Sequence, residues 1–176
     1  TANAAGPVHV IDAHESAAND FSVVTRTVQH NDSQRWVFAR VGSVYTLRQH
    51  SNGRFVDAHE IEAEDFAAVT RPAQNNDTQR WVLLPDNGSF TIQQLSSGRY
   101  VDAHEEAGND FSVVTRPRQS NDTQRWLLNR LDTYLLLRVL GESFWPEEPG
   151  LARRLHRRAL VVDSHADTPQ RMVYQG

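Results

Sequence analysis

One cluster of polar residues recurs three times along the chain at equivalent positions. In each copy a His follows an Asp by two residues, an Arg follows the Asp by fourteen, and an Asn follows the Arg by five. The twelve residues are Asp12, His14, Arg26, Asn31, Asp57, His59, Arg71, Asn76, Asp102, His104, Arg116 and Asn121. A carboxylate can accept hydrogen bonds from two O–H groups, and imidazole, guanidinium and amide groups can donate N–H hydrogen bonds. This combination suits a ligand with neighbouring hydroxyl groups, as in a sugar, so we predict three versions of one binding site.

The clusters belong to a longer sequence repeat with a period of 45 residues. Each copy begins with the motif at Ile11–Glu15, Val56–Glu60 or Val101–Glu105. Each continues through Val-Thr-Arg and ends on the tryptophan of Asn-Asp-Ser/Thr-Gln-Arg-Trp, at Trp36, Trp81 or Trp126. Self-similarity at a fixed period predicts a repeat architecture, in which each repeat is one structural unit.

Four short strands are predicted in each repeat, from the alternation of apolar and polar residues between turn signals. In the second repeat they span Ser43–Gln49, Arg54–His59, Phe66–Arg71 and Gln79–Leu84, with a turn over Pro85–Gly88. The first repeat lacks its first strand, and Thr133–Arg138 supplies an equivalent segment at the other end of the repeat array. We therefore predict twelve strands in a closed arrangement, because closure removes the exposed edges of an open array.

The alternation also assigns faces to the side chains of the second and third strands. Val101 and Ala103 are expected to face the core, and Asp102 and His104 the opposite side. Arg116 is expected to share that outer face when the two strands fold into a hairpin. Structural roles are expected for the repeated tryptophans, for the glutamines two residues before them, and for Phe21, Phe66 and Phe111.

Gln-x-Trp occurs once in each repeat, as Gln34-Arg35-Trp36, Gln79-Arg80-Trp81 and Gln124-Arg125-Trp126. With the segments Ser51–Asp57 and Ser97–Asp102, these motifs resemble the ricin B-chain-like lectins over about residues 8–140. The resemblance implies an all-β fold, a β-trefoil opened one strand late and closed by its C-terminal strand. The implied repeats are about 8–42, 43–87 and 88–132, and the closing strand is 133–140.

The resemblance also implies where a sugar would bind. The ligand Asp of the family corresponds to Asp12, Asp57 and Asp102. Its aromatic platform corresponds to positions that hold arginine here, namely Arg26, Arg71 and Arg116. Its ligand Asn corresponds to Ser33, Thr78 and Thr123, each preceded by Asn-Asp. Either the pocket recognises a different, acidic ligand through Arg and His, or these residues form a structural network.

Composition excludes several classes of function. The chain of 176 residues has no cysteine, so it forms neither a disulfide nor a thiolate metal site. A formal net charge of −4 disfavours a nucleic-acid surface, and no apolar run reaches the length of a membrane span. No cofactor is expected. Residues 1–7 are expected to form a small polar arm, typical of a processed protein that is secreted or held in the cell envelope.

Residues 141–176 are expected to be a linker followed by a short tail, mostly helical or irregular. The segment 155–169 resembles the opening of the membrane (renal-type) dipeptidases. That resemblance implies that His165 and Asp167 correspond to zinc ligands. Such an enzyme needs further ligands from a barrel of about 250 residues, so this chain alone is expected to be non-catalytic and to hold no metal.

Three functions remain open from the sequence. The first is a non-catalytic carbohydrate-binding module with up to three equivalent sites, which targets an attached hydrolase to a glycan surface. The second is a fragment of a zinc-dependent dipeptidase. The third is a structural or protein-interaction trefoil that binds no sugar. The expected partner is a carbohydrate or glycoconjugate, and the sequence does not determine the oligomeric state.

Overall fold

A computed structural model describes residues 8–131 and 134–140, which form twelve short β-strands. The strands are β1 (His9–Ala13), β2 (Val23–Thr27), β3 (Trp36–Val41), β4 (Val44–Gln49), β5 (Phe55–Ala58), β6 (Ala68–Arg71), β7 (Trp81–Asp86), β8 (Ser89–Gln94), β9 (Tyr100–Ala103), β10 (Val113–Arg116), β11 (Trp126–Leu131) and β12 (Tyr134–Val139). The helical segments of this part of the chain are 3-10 turns of three residues: Ala17–Asn19, Asp32–Gln34, Glu62–Glu64, Asp77–Gln79, Ala107–Asn109 and Asp122–Gln124. None of them is long and apolar enough to cross a membrane.

Six of the strands close into an antiparallel barrel. Around the ring, β12 pairs with β3, β3 with β4, β4 with β7, β7 with β8, β8 with β11, and β11 with β12. The closing strand predicted near the C-terminus is confirmed, because β12 completes this ring. Ring closure leaves no unpaired edge in the barrel, which explains how strands of six residues form a stable sheet.

The other six strands form three hairpins, β1–β2, β5–β6 and β9–β10, which cover one end of the barrel as a cap. Each hairpin pairs with one barrel strand: β1 with β12, β5 with β4, and β9 with β8. The hairpins also contact one another through single bridges, Ser22 with Val69, Ala67 with Val114, and Val24 with Ser112. Barrel and cap together are a β-trefoil, so the predicted all-β fold class is confirmed.

The core contains equivalent residues from all three repeats. Trp36, Trp81 and Trp126 are fully buried, and each indole Nε1 donates a hydrogen bond of 3.1–3.2 Å to a backbone carbonyl of the cap hairpin. Leu47, Ile92 and Leu137 join them from the barrel strands. Each tryptophan therefore joins the barrel to its own hairpin, and the predicted structural role of these residues agrees with the structure.

In the second repeat, the strand boundaries differ most from the prediction at the third and fourth strands. The third strand of the second repeat begins at Ala68, and not at Phe66, because Asp65 and Phe66 both have a positive φ, of 50° and 54°. The fourth strand begins at Trp81 and extends to Asp86, because Gln79 lies in the 3-10 turn. The predicted turn over Pro85–Gly88 is therefore too wide, since Pro85 and Asp86 pair with β8.

Candidate functional site

The repeated aspartates lie at the base of the cap hairpins and are buried. Asp12, Asp57 and Asp102 are each 7% exposed, so the expectation that they face outward is wrong. Asp57 Oδ1 accepts from the backbone N–H of Ala58 at 2.8 Å, and Oδ2 accepts from Gln79 Nε2 at 3.2 Å. The 3-10 turn before each tryptophan folds this glutamine over the carboxylate. A carboxylate has about four acceptor positions, so each oxygen retains one for a further donor.

The glutamine of each Gln-x-Trp motif holds this carboxylate in place. Gln79 Oε1 accepts from the backbone N–H of Gln74 at 2.8 Å, and its Nε2 also donates to the carbonyl of Pro72 at 3.0 Å. Gln34 and Gln124 make the same contacts in their repeats. The amide thus joins the loop after the hairpin to the buried aspartate, which agrees with the structural role expected for these glutamines.

The repeated His and Arg residues bind an aspartate of the neighbouring repeat. Arg71 Nη1 and Nη2 donate to the two carboxylate oxygens of Asp20 at 2.7 and 3.0 Å, and His59 Nε2 lies 2.7 Å from Asp20 Oδ2. Equivalent pairs contact Asp65 and Asp110, with the arginine donating to the carboxylate through Nη2 alone. Arg116 and His104 lie 2.8 and 3.5 Å from the Asp65 carboxylate, and Arg26 and His14 each lie 2.7 Å from that of Asp110. We call each set an inter-repeat triad. The three triads form a cycle, in which every repeat supplies an aspartate to one neighbour and a His-Arg pair to the other.

Sequence reasoning missed the aspartates of the inter-repeat triads. Asp20, Asp65 and Asp110 recur at the same 45-residue spacing, and each directly precedes a phenylalanine. They end the short 3-10 turns with a left-handed backbone conformation, which places the carboxylate toward the next hairpin. The repetition of Asp-Phe was the signal that could have found them.

The triads lower the pKa of their carboxylates. The hydrogen bond from Arg71 lowers the pKa of Asp20 to about 2, with a smaller contribution from His59, against an opposing effect of burial. The hydrogen bond from Arg116 likewise lowers the pKa of Asp65. At Asp110, burial acts to raise the pKa, but hydrogen bonds from His14 and Arg26 outweigh it and the net shift is downward. All three carboxylates are therefore charged at neutral pH.

The low pKa of Asp20 predicts a loss of stability in acid. A carboxyl group whose pKa falls from 3.8 to about 2 on folding stabilises the protein above pH 3.8, and this contribution disappears as the pH falls toward 2. Asp20→Asn removes the contribution at every pH. We expect the variant to be less stable than the wild type at pH 6, with a difference that shrinks progressively between pH 4 and 2. The effect is small, because the Asp20 side chain is 53% exposed.

Urea unfolding followed between pH 2 and 6 measures this difference. A constant difference between wild type and Asp20→Asn across that range would contradict the assignment of the low pKa to Asp20. Asp65→Asn should show a change of the same sign, since Arg116 lowers the pKa of that carboxyl too.

The predicted asparagines lie on exposed loops beside the buried aspartates. Asn31, Asn76 and Asn121 each precede a 3-10 turn, and each Nδ2 donates to a glutamine Oε1 at 2.8–2.9 Å. In the second repeat this acceptor is Gln74, and its backbone N–H donates to Oε1 of Gln79, the glutamine that contacts Asp57. The first and third repeats have the equivalent bonds. A continuous set of hydrogen bonds therefore connects each Asn to the Asp of its repeat, whereas the His and Arg of that repeat bind elsewhere.

Metal binding finds no support in the described part of the chain, which contains no group of three or more His, Asp or Glu residues that could hold an ion. His165 and Asp167 lie outside the described residues. The comparisons with known proteins give no support to the resemblance of residues 155–169 to dipeptidases.

Twelve strands, arranged as a barrel and a cap of three equivalent hairpins that each carry a buried aspartate, define a β-trefoil. The family model for the ricin-type β-trefoil lectin domain matches residues 3–130. The chain therefore belongs to the ricin-type β-trefoil lectin domain family. A search of curated proteins found no match.

Solved structures with the same fold include designed and natural proteins. The designed three-fold symmetric protein ThreeFoil is 18% identical, with a TM-score of 0.58, and the match covers 74% of this chain and 96% of ThreeFoil. A Polyporus squamosus lectin is 17% identical, with a TM-score of 0.57 over 68% of this chain and 47% of the lectin. An exo-β-1,3-galactanase from Clostridium thermocellum is 16% identical, with a TM-score of 0.55 over 76% of this chain and 30% of the enzyme. The chain thus spans about half of that lectin and a third of that enzyme.

Proposed function

We propose that this domain is a non-catalytic carbohydrate-binding module with up to three equivalent sites, at Asp12, Asp57 and Asp102. The observation that carries the proposal is the same carboxylate geometry in all three repeats. Each Asp is held by a buried glutamine and keeps acceptor capacity on both oxygens. Membership of a lectin domain family supports carbohydrate binding in general.

In each site, the carboxylate accepts hydrogen bonds from two neighbouring hydroxyl groups of a sugar. Such bonds are charge-assisted and short, which gives them the directionality needed to select a ring. The exposed loop at the rim of each site contributes an asparagine, which is Asn31, Asn76 or Asn121. The hairpin borders each site with a histidine and an arginine, which are His14 and Arg26, His59 and Arg71, or His104 and Arg116. The three arginines are already neutralised by the triads, so they shape the site and do not supply free positive charge.

Related structures support a glycan as the partner. The Polyporus squamosus lectin was crystallised with a human-type influenza-binding epitope, Neu5Acα2-6Galβ1-4GlcNAc. In the Clostridium thermocellum galactanase the matching part is about a third of the chain, so a trefoil accompanies a larger enzyme there. By the same arrangement, this module targets an attached hydrolase to a glycan surface, where several weak sites act together and raise the avidity.

The test is stepwise replacement of the buried aspartates by asparagine, after a glycan array has identified a ligand. Asparagine offers only one acceptor oxygen and no charge, so each replacement should weaken one site. We expect the triple variant Asp12→Asn, Asp57→Asn, Asp102→Asn to bind roughly 10- to 100-fold more weakly, the loss typical of hydrogen bonds to a charged group. Calorimetry measures affinity and the number of sites together.

The matched control is the triple variant Asp32→Asn, Asp77→Asn, Asp122→Asn. It removes the same number of charges from the same repeats, at side chains that are 52%, 52% and 37% exposed. It should bind like the wild type. Near-UV circular dichroism of the buried tryptophans establishes that both variants are folded. Unchanged binding by the folded test variant, or no binding of the wild type to any glycan, overturns the proposal.

A structural role for the repeated clusters is the second candidate. The observation that favours it is the cycle of inter-repeat triads, in which His and Arg of every repeat are bound to protein carboxylates. If the wild type binds no glycan, and replacement of triad residues lowers stability only, this candidate replaces the first.

A further inference from the structure

Two arginines at the junctions between repeats are stacked on phenylalanine rings. The guanidinium carbon of Arg54 lies 3.6 Å from the ring centroid of Phe21, and that of Arg99 lies 3.6 Å from that of Phe66. Nε and Nη2 of Arg54 donate to the carbonyl of Thr70 at 3.2 and 2.7 Å, and Arg99 binds the equivalent carbonyl of the third repeat. Ring and carbonyl together fix the orientation of each guanidinium group.

Neither arginine forms an ion pair within the described part of the chain. No carboxylate of the described residues lies within 4.0 Å of Arg54 or Arg99, whereas their neighbours Arg71 and Arg116 bind Asp20 and Asp65. Nη1 of both Arg54 and Arg99 makes no hydrogen bond to the described part of the chain, and this atom is not fully buried. Each therefore presents two free N–H donors at an accessible position.

Two arginines lie close together at each of these two junctions. Around Phe21, Arg71 is bound to Asp20, whereas Arg54 has no carboxylate of the described residues within 4.0 Å. Burial and then repulsion from Arg71 lower the pKa of Arg54, and they outweigh a smaller attraction from Asp20. Around Phe66 the same causes act on Arg99, with Arg116 as the repelling neighbour. A bound anion would relieve this repulsion at both places.

The third junction lacks the additional arginine. At the position of Arg54 and Arg99 the first repeat has His9, whose ring centroid lies 5.0 Å from that of Phe111. His9 is 6% exposed, and burial, followed by repulsion from Arg26, lowers its pKa. The imidazole is therefore neutral at pH 7, and this junction has no cation at the position of Arg54 and Arg99.

We infer that Arg54 and Arg99 form two anion-binding sites on the cap, which accept a carboxylate or sulfate group carried by an acidic glycan. The inference rests on the proposed function in taking a glycan as the partner. Guanidinium groups bind planar or tetrahedral oxyanions through paired N–H donors, and an orientation fixed in advance lowers the entropic cost of binding. The domain thus has two anion sites alongside up to three hydroxyl-binding sites, and the first repeat differs from the other two in its ligand.

Nuclear magnetic resonance of the arginine side chains tests this inference in the full chain. The probes are sodium glucuronate and glucose 6-sulfate, with glucose and sodium chloride at matched ionic strength as controls. We expect both acidic sugars to shift the Nε–H signals of Arg54 and Arg99, and glucose and chloride to leave them in place. A larger effect of glucuronate identifies a carboxylate as the preferred group, and a larger effect of the sulfate ester identifies a sulfate. Equal shifts with glucose or chloride overturn the inference.

Substitutions that remove the two sites, and one that should add a third, test the inference. Arg54→Gln with Arg99→Gln should weaken glucuronate binding at least about tenfold, because a charge-assisted hydrogen bond is lost at each site. The matched control is Arg48→Gln, which removes one charge from an exposed arginine whose counterpart in the next repeat is already Gln93. His9→Arg should add a third site, and it leaves Arg54 and Arg99 intact if the double variant fails to fold. Unchanged glucuronate binding in the folded double variant, or no additional site in folded His9→Arg, overturns the inference.

The outcome is separable from that of the proposed function. If the aspartate variants bind neutral glycans normally while glucuronate still shifts Arg54 and Arg99, the proposed sugar sites fail and the anion sites stand. If neutral glycans depend on the aspartates but glucuronate does not depend on the arginines, the opposite holds.

Discussion

Gln79→Glu is expected to lower the free energy of unfolding by about 3–5 kcal/mol at pH 7 and by much less at pH 4. Gln79 Nε2 donates to Asp57 Oδ2 at 3.2 Å and to the carbonyl of Pro72 at 3.0 Å. A glutamate oxygen in that place would face two acceptors, in a site where Gln79 is 2% and Asp57 is 7% exposed. Two buried carboxylates at this distance cannot both be charged, so folding raises the pKa of the pair.

The sign of the pH dependence follows from that raised pKa. A carboxyl group with a pKa that is higher in the folded than in the unfolded state destabilises the protein above its unfolded value, about 4.3 for glutamate. Below that pH the group is protonated in both states, and the acid O–H can donate to Asp57 as the amide does. Stability relative to the wild type should therefore recover on acidification.

Urea unfolding at pH 4 and pH 7, each referred to the wild type at the same pH, measures the effect. Gln79→Met is the matched control, because it loses the same hydrogen bonds without adding a titratable group, and its cost should be similar at both pH values. An equal cost for Gln79→Glu at both pH values would contradict the close contact between the side chains of residues 79 and 57.

Trp81→Ala is expected to lower the free energy of unfolding by about 3–5 kcal/mol. The indole is fully buried in the barrel, and its Nε1 donates to the carbonyl of Val56 at 3.1 Å. Alanine leaves a cavity between barrel and cap and also leaves that carbonyl without its donor. Trp81→Phe retains most of the volume and should cost about 1–3 kcal/mol, the cost of one unsatisfied buried group.

Unfolding followed by far-UV circular dichroism compares these variants without relying on tryptophan fluorescence. Trp36→Ala and Trp126→Ala should cost amounts similar to that of Trp81→Ala, because all three residues are fully buried and make the same hydrogen bond. Val41→Ala, at a barrel residue that is 44% exposed, serves as the control and should change stability by about 0.5 kcal/mol or less. A cost for Trp81→Ala as small as that of the control would contradict the role assigned to the tryptophan.

The architecture could be predicted from the sequence because the same pattern of strands and turns recurs three times at a fixed period. The missing first strand and its replacement near residue 135 followed directly from that period. The start of the third strand was misplaced because phenylalanine rarely has a positive φ, and the preference of Phe66 for a strand concealed the turn. The turn is stabilised by tertiary contacts, since the carbonyl of Phe66 accepts from the backbone N–H of Thr115 in the next hairpin.

The candidate site could be predicted only within one hairpin. Asp12 lies opposite Val24 and Arg26 opposite Val10, so Asp12 and Arg26 do share a face, as the alternation predicted. The carboxylate that Arg26 binds belongs to Asp110, which is 84 residues away in the chain. Strand alternation describes a single hairpin and contains no information about the neighbour across the three-fold axis. Burial of the aspartate was missed for the same reason, because it depends on a loop that folds back 22 residues later.

The cycle of inter-repeat triads has a consequence for how this chain could be cut and rejoined. An isolated repeat carries both an aspartate and a His-Arg pair, but the two contact different neighbours. Three copies are required to close the cycle, whether or not peptide bonds connect them. The first and last strands of the trefoil, β1 and β12, pair with each other, so a circular permutant that joins these ends and opens at the turn after Val41 retains all three triads. Identical chains of one repeat would form the same contacts only as a homotrimer.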